Sequence, residues 1–196
     1  LLSVRNDKLL SNSVRFALDT RPELLARDPA DCDGPQPLVL PVIVNGRIAR
    51  PGADALFTFT GKAGDEFVAE VIARRLGSPL DSALTLTDAQ GRTVAANDDY
   101  DDKGAGLLTH HADSRLSARL PADGVYQLRL ADAQRHGGPE YGYRLRAGAP
   151  QPDFELRVVP STINLRAGAS APLTVYALRR DGFNGEILLG LLEGAR

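Results

Sequence analysis

The sequence predicts an all-β protein: a jelly-roll-like antiparallel β-sandwich followed by part of a second, immunoglobulin-like β-sandwich. Three observations carry this prediction. Apolar and polar residues alternate with a period of two over many short stretches, as strands do when one face is wet and the other buried. Gly, Pro, Asn and Asp punctuate those stretches where hairpins need them. Apolar positions three and four apart are not sustained over ten or more residues, as an amphipathic helix requires, and residues 22–27 allow one helical turn at most.

Taken in order, Leu2-Ser3-Val4 reads as the last strand of a preceding unit and Val14 to Leu18 as another strand. A polar, Pro-rich lead-in follows, so residues 1–37 form an N-terminal segment. Residues 38–149 carry the strongest alternation. Phe57 and Phe59 share one face; Phe67, Ala69, Val71 and Ala73 share another. Leu84 and Leu86, then Leu116, Ala118 and Leu120, then Tyr126, Leu128 and Leu130, then Tyr141, Tyr143 and Leu145 repeat the pattern. Turns are expected at Asn45-Gly46, Gly61 to Gly64, Ala89-Gln90-Gly91, Ala122-Asp123-Gly124 and Gly137-Gly138-Pro139. Two prolines in Gly148-Ala149-Pro150-Gln151-Pro152 remove ladder donors and mark a junction. Beyond it, residues 150–196 show four candidate strands: Phe154–Val158, Thr162–Leu165, Leu173–Ala177 and Ile187–Leu189. An immunoglobulin-like domain needs roughly 100 residues, so this second sandwich is expected to be incomplete, with a sticky exposed edge.

Bulk properties narrow the partners. A net charge of −2 supplies no basic footprint for nucleic acid. No apolar run reaches the roughly 18–20 residues of a membrane span, so membrane insertion is not expected. Methionine is absent, and the chain ends directly after an apolar run, which leads us to expect a segment of a longer polypeptide whose other domains are its partners. Cys32 is the single cysteine; it has no disulfide partner, and Asp31 and Asp33 beside it disfavour a thiolate.

Several phrases, in order and spacing, carry a family resemblance. They are Pro41 to Ile48, Pro51 to Phe59, Gly64 to Val71, Ser78 to Leu84, Asn97-Asp98-Asp99, Leu120 to Tyr126 and Tyr141 to Leu145. Across Pro41 to Arg146 the chain resembles the bacterial pre-peptidase C-terminal domain, in the version found in large planctomycete-type proteins. The tail from Pro152 resembles the immunoglobulin-like unit that often follows it. The resemblance implies a sandwich exported with its parent, so secreted, periplasmic or cell-surface, without catalysis of its own, and serving as a spacer or binding module. Some relatives on secreted proteases bind collagen and calcium. The acidic Glu-Pro-Asn lead-in of calcium-binding relatives is replaced here by Arg27-Asp28-Pro29-Ala30-Asp31-Cys32-Asp33.

Asp98, Asp99, Asp101 and Asp102 crowd into five positions. Calcium prefers several hard oxygen ligands, and Asp28, Asp31 or Asp33 could complete the set if the lead-in folds back. The competing reading is a solvated acidic loop whose side chains cap turns. Neither segment is an EF-hand, since Pro29 and Leu40 occupy the positions of the first and last ligands in one and Lys103 and His110 break the other. His110 and His111 with Asp113 and Ser114 invite a metal or hydrolase reading. Neighbours in a strand face opposite ways, and no nucleophile elbow accompanies Ser114, so hydrogen bonding within a turn is the stronger expectation. His136 reads as a loop residue. Arg74, Arg75, Arg144 and Arg146 are expected to cover apolar surface with their stems and keep their heads in water. Tyr126, Tyr141 and Tyr143 fall with the core. The reading is therefore a non-catalytic accessory or spacer module. Its alternatives are a calcium-dependent module binding an extracellular glycan, collagen or another peptide, and, more remotely, a hydrolase.

Overall fold

A computed structural model of the chain describes residues 1–28, 33–100 and 113–190. Two compact units are present, Leu1–Ala149 and Pro150–Arg196. In the first unit, strands β1 (Glu23–Leu25), β3 (Val42–Arg47), β5 (Glu66–Ile72), β8 (Arg115–Arg119) and β10 (Gly142–Gly148) form one five-stranded sheet in the order β1-β3-β10-β5-β8. The second sheet contains β2 (Gln36–Pro37), β4 (Asp54–Gly61), β6 (Ser82–Thr87), β7 (Thr93–Asn97) and β9 (Gly124–Asp132), in the order β2-β4-β9-β6-β7. One continuous apolar core lies between them.

Alternation is what makes these layers. In the second sheet Phe57, Leu128 and Leu86 lie in one row, and Ala55, Leu130 and Leu84 in the next, all turned inward and buried. In the first sheet Val44, Leu145 and Val71 form a facing row. Phe59 of β4 stacks on Phe67 of β5 at 4.4 Å between ring centroids, joining the sheets, and Tyr126 stacks on Phe59 in turn. The Tyr126 hydroxyl donates to the Ala122 carbonyl at 2.6 Å, fastening the turn before β9 to the core. Aromatic pairs of this geometry add about 0.5–1.5 kcal/mol beyond their burial.

Several expectations are corrected. Asn45-Gly46 is no turn; it lies within β3. The Tyr143 ring, its cross-strand partner, lies over Gly46 where a Cβ would collide with ring and hydroxyl, so the missing side chain makes room for an aromatic. Residues 20–37 are more than a lead-in: β1 runs parallel to β3 and β2 parallel to β4. Residues 23–25 are therefore strand where one helical turn was allowed. Leu2 and Val14 bridge in a short antiparallel ribbon instead of belonging to either sheet. In the second unit β11 (Asp153–Val159) pairs antiparallel with β12 (Thr174–Arg180). Residues 162–165 and 187–189 form no strand, and Leu188 is 84% exposed. Among the described residues no strand of this unit other than β11 and β12 is present to take their backbone bonds, and these apolar runs are irregular.

The core rows set the scale of stability. Leu128→Ala removes a fully buried side chain and should cost about 2–5 kcal/mol. Val125→Ala, at a half-exposed position on the same strand, should change stability by less than about 0.5 kcal/mol. Urea unfolding of the two variants measures the difference.

Candidate functional site

The acidic segment begins where β7 ends. Asn97 turns back on its own loop: its side-chain amide donates to the Asp99 carbonyl at 2.8 Å, and its oxygen accepts the Arg115 amide at 2.7 Å. The Arg115 guanidinium lies 5.3 Å from the Tyr100 ring centroid. The neck of the β7–β8 connection is thus pinned. Asp98 and Asp99 are exposed at it; Asp101, Asp102, His110 and His111 lie outside the described residues.

Asp28 and Asp33 lie apart from Asp98 and Asp99. They lie in the connection between β1 and β2, which form one side of the sandwich, while β7 and β8 form the other. Three strands stand between β2 and β7, about 19 Å at 4.7–4.9 Å per step. Asp28 instead faces Arg50 at 3.5 Å. Asp31 and Cys32 lie outside the described residues. Among the described residues no group of three or more His, Cys, Asp or Glu side chains is arranged to hold a metal.

Asp113 and Ser114 have structural work. Asp113 is fully buried and accepts the amides of Ala73, Arg74 and Arg75 at 3.0, 2.7 and 3.3 Å. Its carboxylate therefore caps the short 3-10 turn Arg74–Leu76 from about forty residues away. The Arg75 Nε donates to the same carboxylate at 2.7 Å, and its Nη1 donates to Glu70 at 2.8 Å. Burial works against the Arg75 charge, but Glu70 and Asp113 outweigh it and hold the guanidinium protonated. Ser114 Oγ lies 2.8 Å from Ser82 Oγ, both side chains fully buried. A hydroxyl sealed in this way meets no substrate, and the bonds of Ser114 and Asp113 reach 32 and about 40 residues away instead of lying within their own turn.

Arg74 is exposed as expected, but Arg75, Arg144 and Arg146 depart from expectation. Arg144 is buried, not snorkelling: both Glu23 oxygens accept from it, at 2.6 and 3.1 Å, and Asn45 accepts at 3.0 Å. Arg146 meets Asp19 at 3.3 Å and Glu70 at 3.7 Å. Residues 15–25 therefore form a strap on the outer face of the first sheet, with Ile43 fully buried beneath it although outside the sandwich core. Beside the strap lies a cleft of about 450 Å³, lined among others by Phe16, Ile72, Leu76, Glu140 and Arg15. Its volume falls in the range of small-ligand sites. Tyr126 and Tyr143 are buried and Tyr141 is half-buried, so they build no sugar-stacking platform. His136 is a loop residue whose amide donates to Asp132 at 2.8 Å.

Every polar group that looked catalytic and can be described thus belongs to the frame of a sandwich. Strands β4 to β9 are the part of it that a known family covers. Residues 54–132 match the bacterial pre-peptidase C-terminal domain. A probable subtilase-type serine protease of Deinococcus radiodurans is 45% identical over 76 residues, which cover 38% of this chain and 9% of that protein. The chain thus corresponds to a small part of the protease's length. A crystal structure of the pre-peptidase C-terminal domain of a Bacillus anthracis collagenase aligns at 12% identity with a TM-score of 0.43, over 66% of this chain and 99% of that one. The pre-peptidase match leaves out β1, β2, β3 and β10, which complete the same two sheets here.

Two outcomes test this account. Asp113→Ala strands three amides and unbalances Arg75, and should cost about 3 kcal/mol by denaturant unfolding; Ser114→Ala should cost nearer 1 kcal/mol. The strap should respond to acid. Hydrogen bonds from Arg144 and Asn45 hold the Glu23 carboxyl below its ordinary range. For Asp19 partial burial pushes upward, but the Arg21 amide, Arg146 and the Thr20 amide outweigh it and the net is again downward. Carboxyls lowered by folding stabilise above their unfolded values, about 3.9–4.3, and lose that contribution as pH falls through their folded values. Exchange of the Ile43 amide, which donates to Pro22 at 2.9 Å, should therefore accelerate relative to Leu145 below about pH 4.

Proposed function

We propose that this chain is a non-catalytic accessory module of an exported multidomain protein, one that spaces or docks neighbouring domains. The observation that carries the reading is the fate of Asp113 and Ser114: these two, the described members of the set that invited a hydrolase reading, are committed to capping and core bonds. The match of residues 54–132 to a domain named for its place beside peptidases, and the 45% identity to a segment of a probable subtilase-type protease, support an exported setting. The planctomycete-type version and an immunoglobulin-like continuation from Pro150 are the finer form of the same proposal. Its partners are other domains of one polypeptide.

A binding role is the second reading, favoured by the cleft under the exposed ring of Phe16, which is 57% exposed. An extracellular peptide or glycan is the ligand class. Calcium belongs to this reading through Asp98 and Asp99 with Asp101 and Asp102, on the strength of oxygen-ligand chemistry.

The chain should show no turnover on broad ester and peptide panels, with or without Ser114→Ala; reproducible hydrolysis lost in that variant would end the accessory reading. Calcium at a hundred times its Kd should stabilise by about 2.7 kcal/mol, or about 2–4 °C in Tm per kcal/mol, reversed by chelator. Identical melts with calcium and with chelator dismiss the metal.

A further inference from the structure

The cleft beside the strap has walls of two kinds. One is apolar: the exposed ring of Phe16, with half-buried Ile72 and Leu76. The other is charged, and Arg15, Glu140 and Arg144 supply it. Arg144 is spent within the fold, because both Glu23 oxygens and Asn45 accept from it. Arg15 and Glu140 keep their charges uncompensated. Arg15 is exposed, and its one bond runs from Nη1 to the Arg75 carbonyl at 3.2 Å. Glu140 is exposed too; it accepts the Ser78 hydroxyl at 3.3 Å with its backbone carbonyl, which leaves the carboxylate out of the bond. Among the described residues no carboxylate pairs with Arg15 and no cation pairs with Glu140, nor do the two pair with each other. One cleft of about 450 Å³ therefore offers an open guanidinium, an open carboxylate and an apolar wall.

Building on the binding reading, we propose that this cleft seats an extended peptide segment carrying one basic and one acidic side chain two positions apart, and not a glycan. Side chains two apart on an extended segment face the same way, so both charges enter the cleft while the residue between them faces water. The acidic side chain meets the Arg15 guanidinium, whose planar fork matches a carboxylate. The basic one meets Glu140 and lays its aliphatic stem along the apolar wall. A neutral sugar answers neither charge. The volume lies in the lower part of the range for ligand sites, which suits a few residues of a chain and excludes a folded partner. Both ion pairs form at exposed groups, so each contributes modestly, and binding weakens as salt screens them.

Four acetylated and amidated tripeptides test this on the full chain: Lys-Ala-Glu, Glu-Ala-Lys, Lys-Ala-Lys and Glu-Ala-Glu. The amide chemical shifts of Gly77 and Gly142, which line the cleft, report occupancy as each peptide is titrated into the millimolar range. One of the two mixed-charge orders should move them at the lowest concentration. Arg15→Gln and Glu140→Gln should each weaken that peptide about two- to fivefold. Exchanging the charges, Arg15→Glu together with Glu140→Arg, should transfer the preference to the opposite order. A charge-exchanged chain that is folded by circular dichroism and keeps the parent's preference overturns the proposal. If that variant does not fold, the parent chain decides: like-charged peptides that bind as well as mixed ones overturn it, and so do mixed peptides that leave both amides unmoved. In the last case a neutral oligosaccharide that moves Gly77 and Gly142 preserves the binding reading with another ligand, whereas no response to either removes the cleft as a binding site altogether.

Discussion

Burial between two facing sheets is the constraint on which every other feature of the first unit rests. Phe57, Leu128 and Leu86 form a row in one sheet, and Val44, Leu145 and Val71 a row in the other. Each strand contributes alternate residues to that interior, so a slip of one position would turn its whole apolar set outward. The Phe59–Phe67 stack ties the sheets near one end, and the Tyr126 hydroxyl fixes the turn that feeds β9. Register, once set by these contacts, decides where each polar side chain can go.

Polar side chains near the core are accordingly drawn into the frame. Asp113 has three backbone amides and a guanidinium within reach, a concentration of donors that compensates a carboxylate removed from water. Ser82 and Ser114 satisfy one another in the same way. Charge clusters of this kind can be mistaken for catalytic groups from composition alone, yet a nucleophile must be reachable, and these are sealed. What the surface offers instead is a strap, a cleft beside it, and a pinned loop neck with Asp98 and Asp99 on the opposite side of the sandwich.

The strands with five or more alternating residues were legible because periodicity reports burial directly: β4, β5, β6, β8, β9 and β10 all announce their inner faces. Others carry no such signal. Glu23-Leu24-Leu25 and Gln36-Pro37 are too short to alternate, and Thr93 to Asn97 offers only small apolar residues. The Glu23–Arg144 pair spans 121 positions and the Asp113 cap about 40, separations at which nothing local marks the partner. Sequence reasoning placed Arg144 in water because a lone arginine usually is; the carboxylate that buries it comes from a segment read as linker. The opposite error occurred at residues 162–165 and 187–189, where apolar pattern was present but, among the described residues, no neighbouring strand supplied the bonds that make pattern into sheet.

The course of the strap also governs how the first unit would carry tension. Arg15 reaches the Arg75 carbonyl beyond the Ile72 end of the first sheet, whereas β10 leaves at the other end, where Gly148 pairs with Val68. With the strap seated, entry and exit lie at opposite ends, about 14 Å apart along the strands, four residues at 3.4 Å. Peeled back to Pro22, the chain would enter beside Ile43, the same end at which it leaves. The sandwich would then hang from the line of pull while eight freed residues, 15–22, paid out about 27 Å. Less the 14 Å already spanned, about 13 Å is the step a force–extension trace would register before either sheet opened, which makes the strap a reserve of slack held on the first sheet.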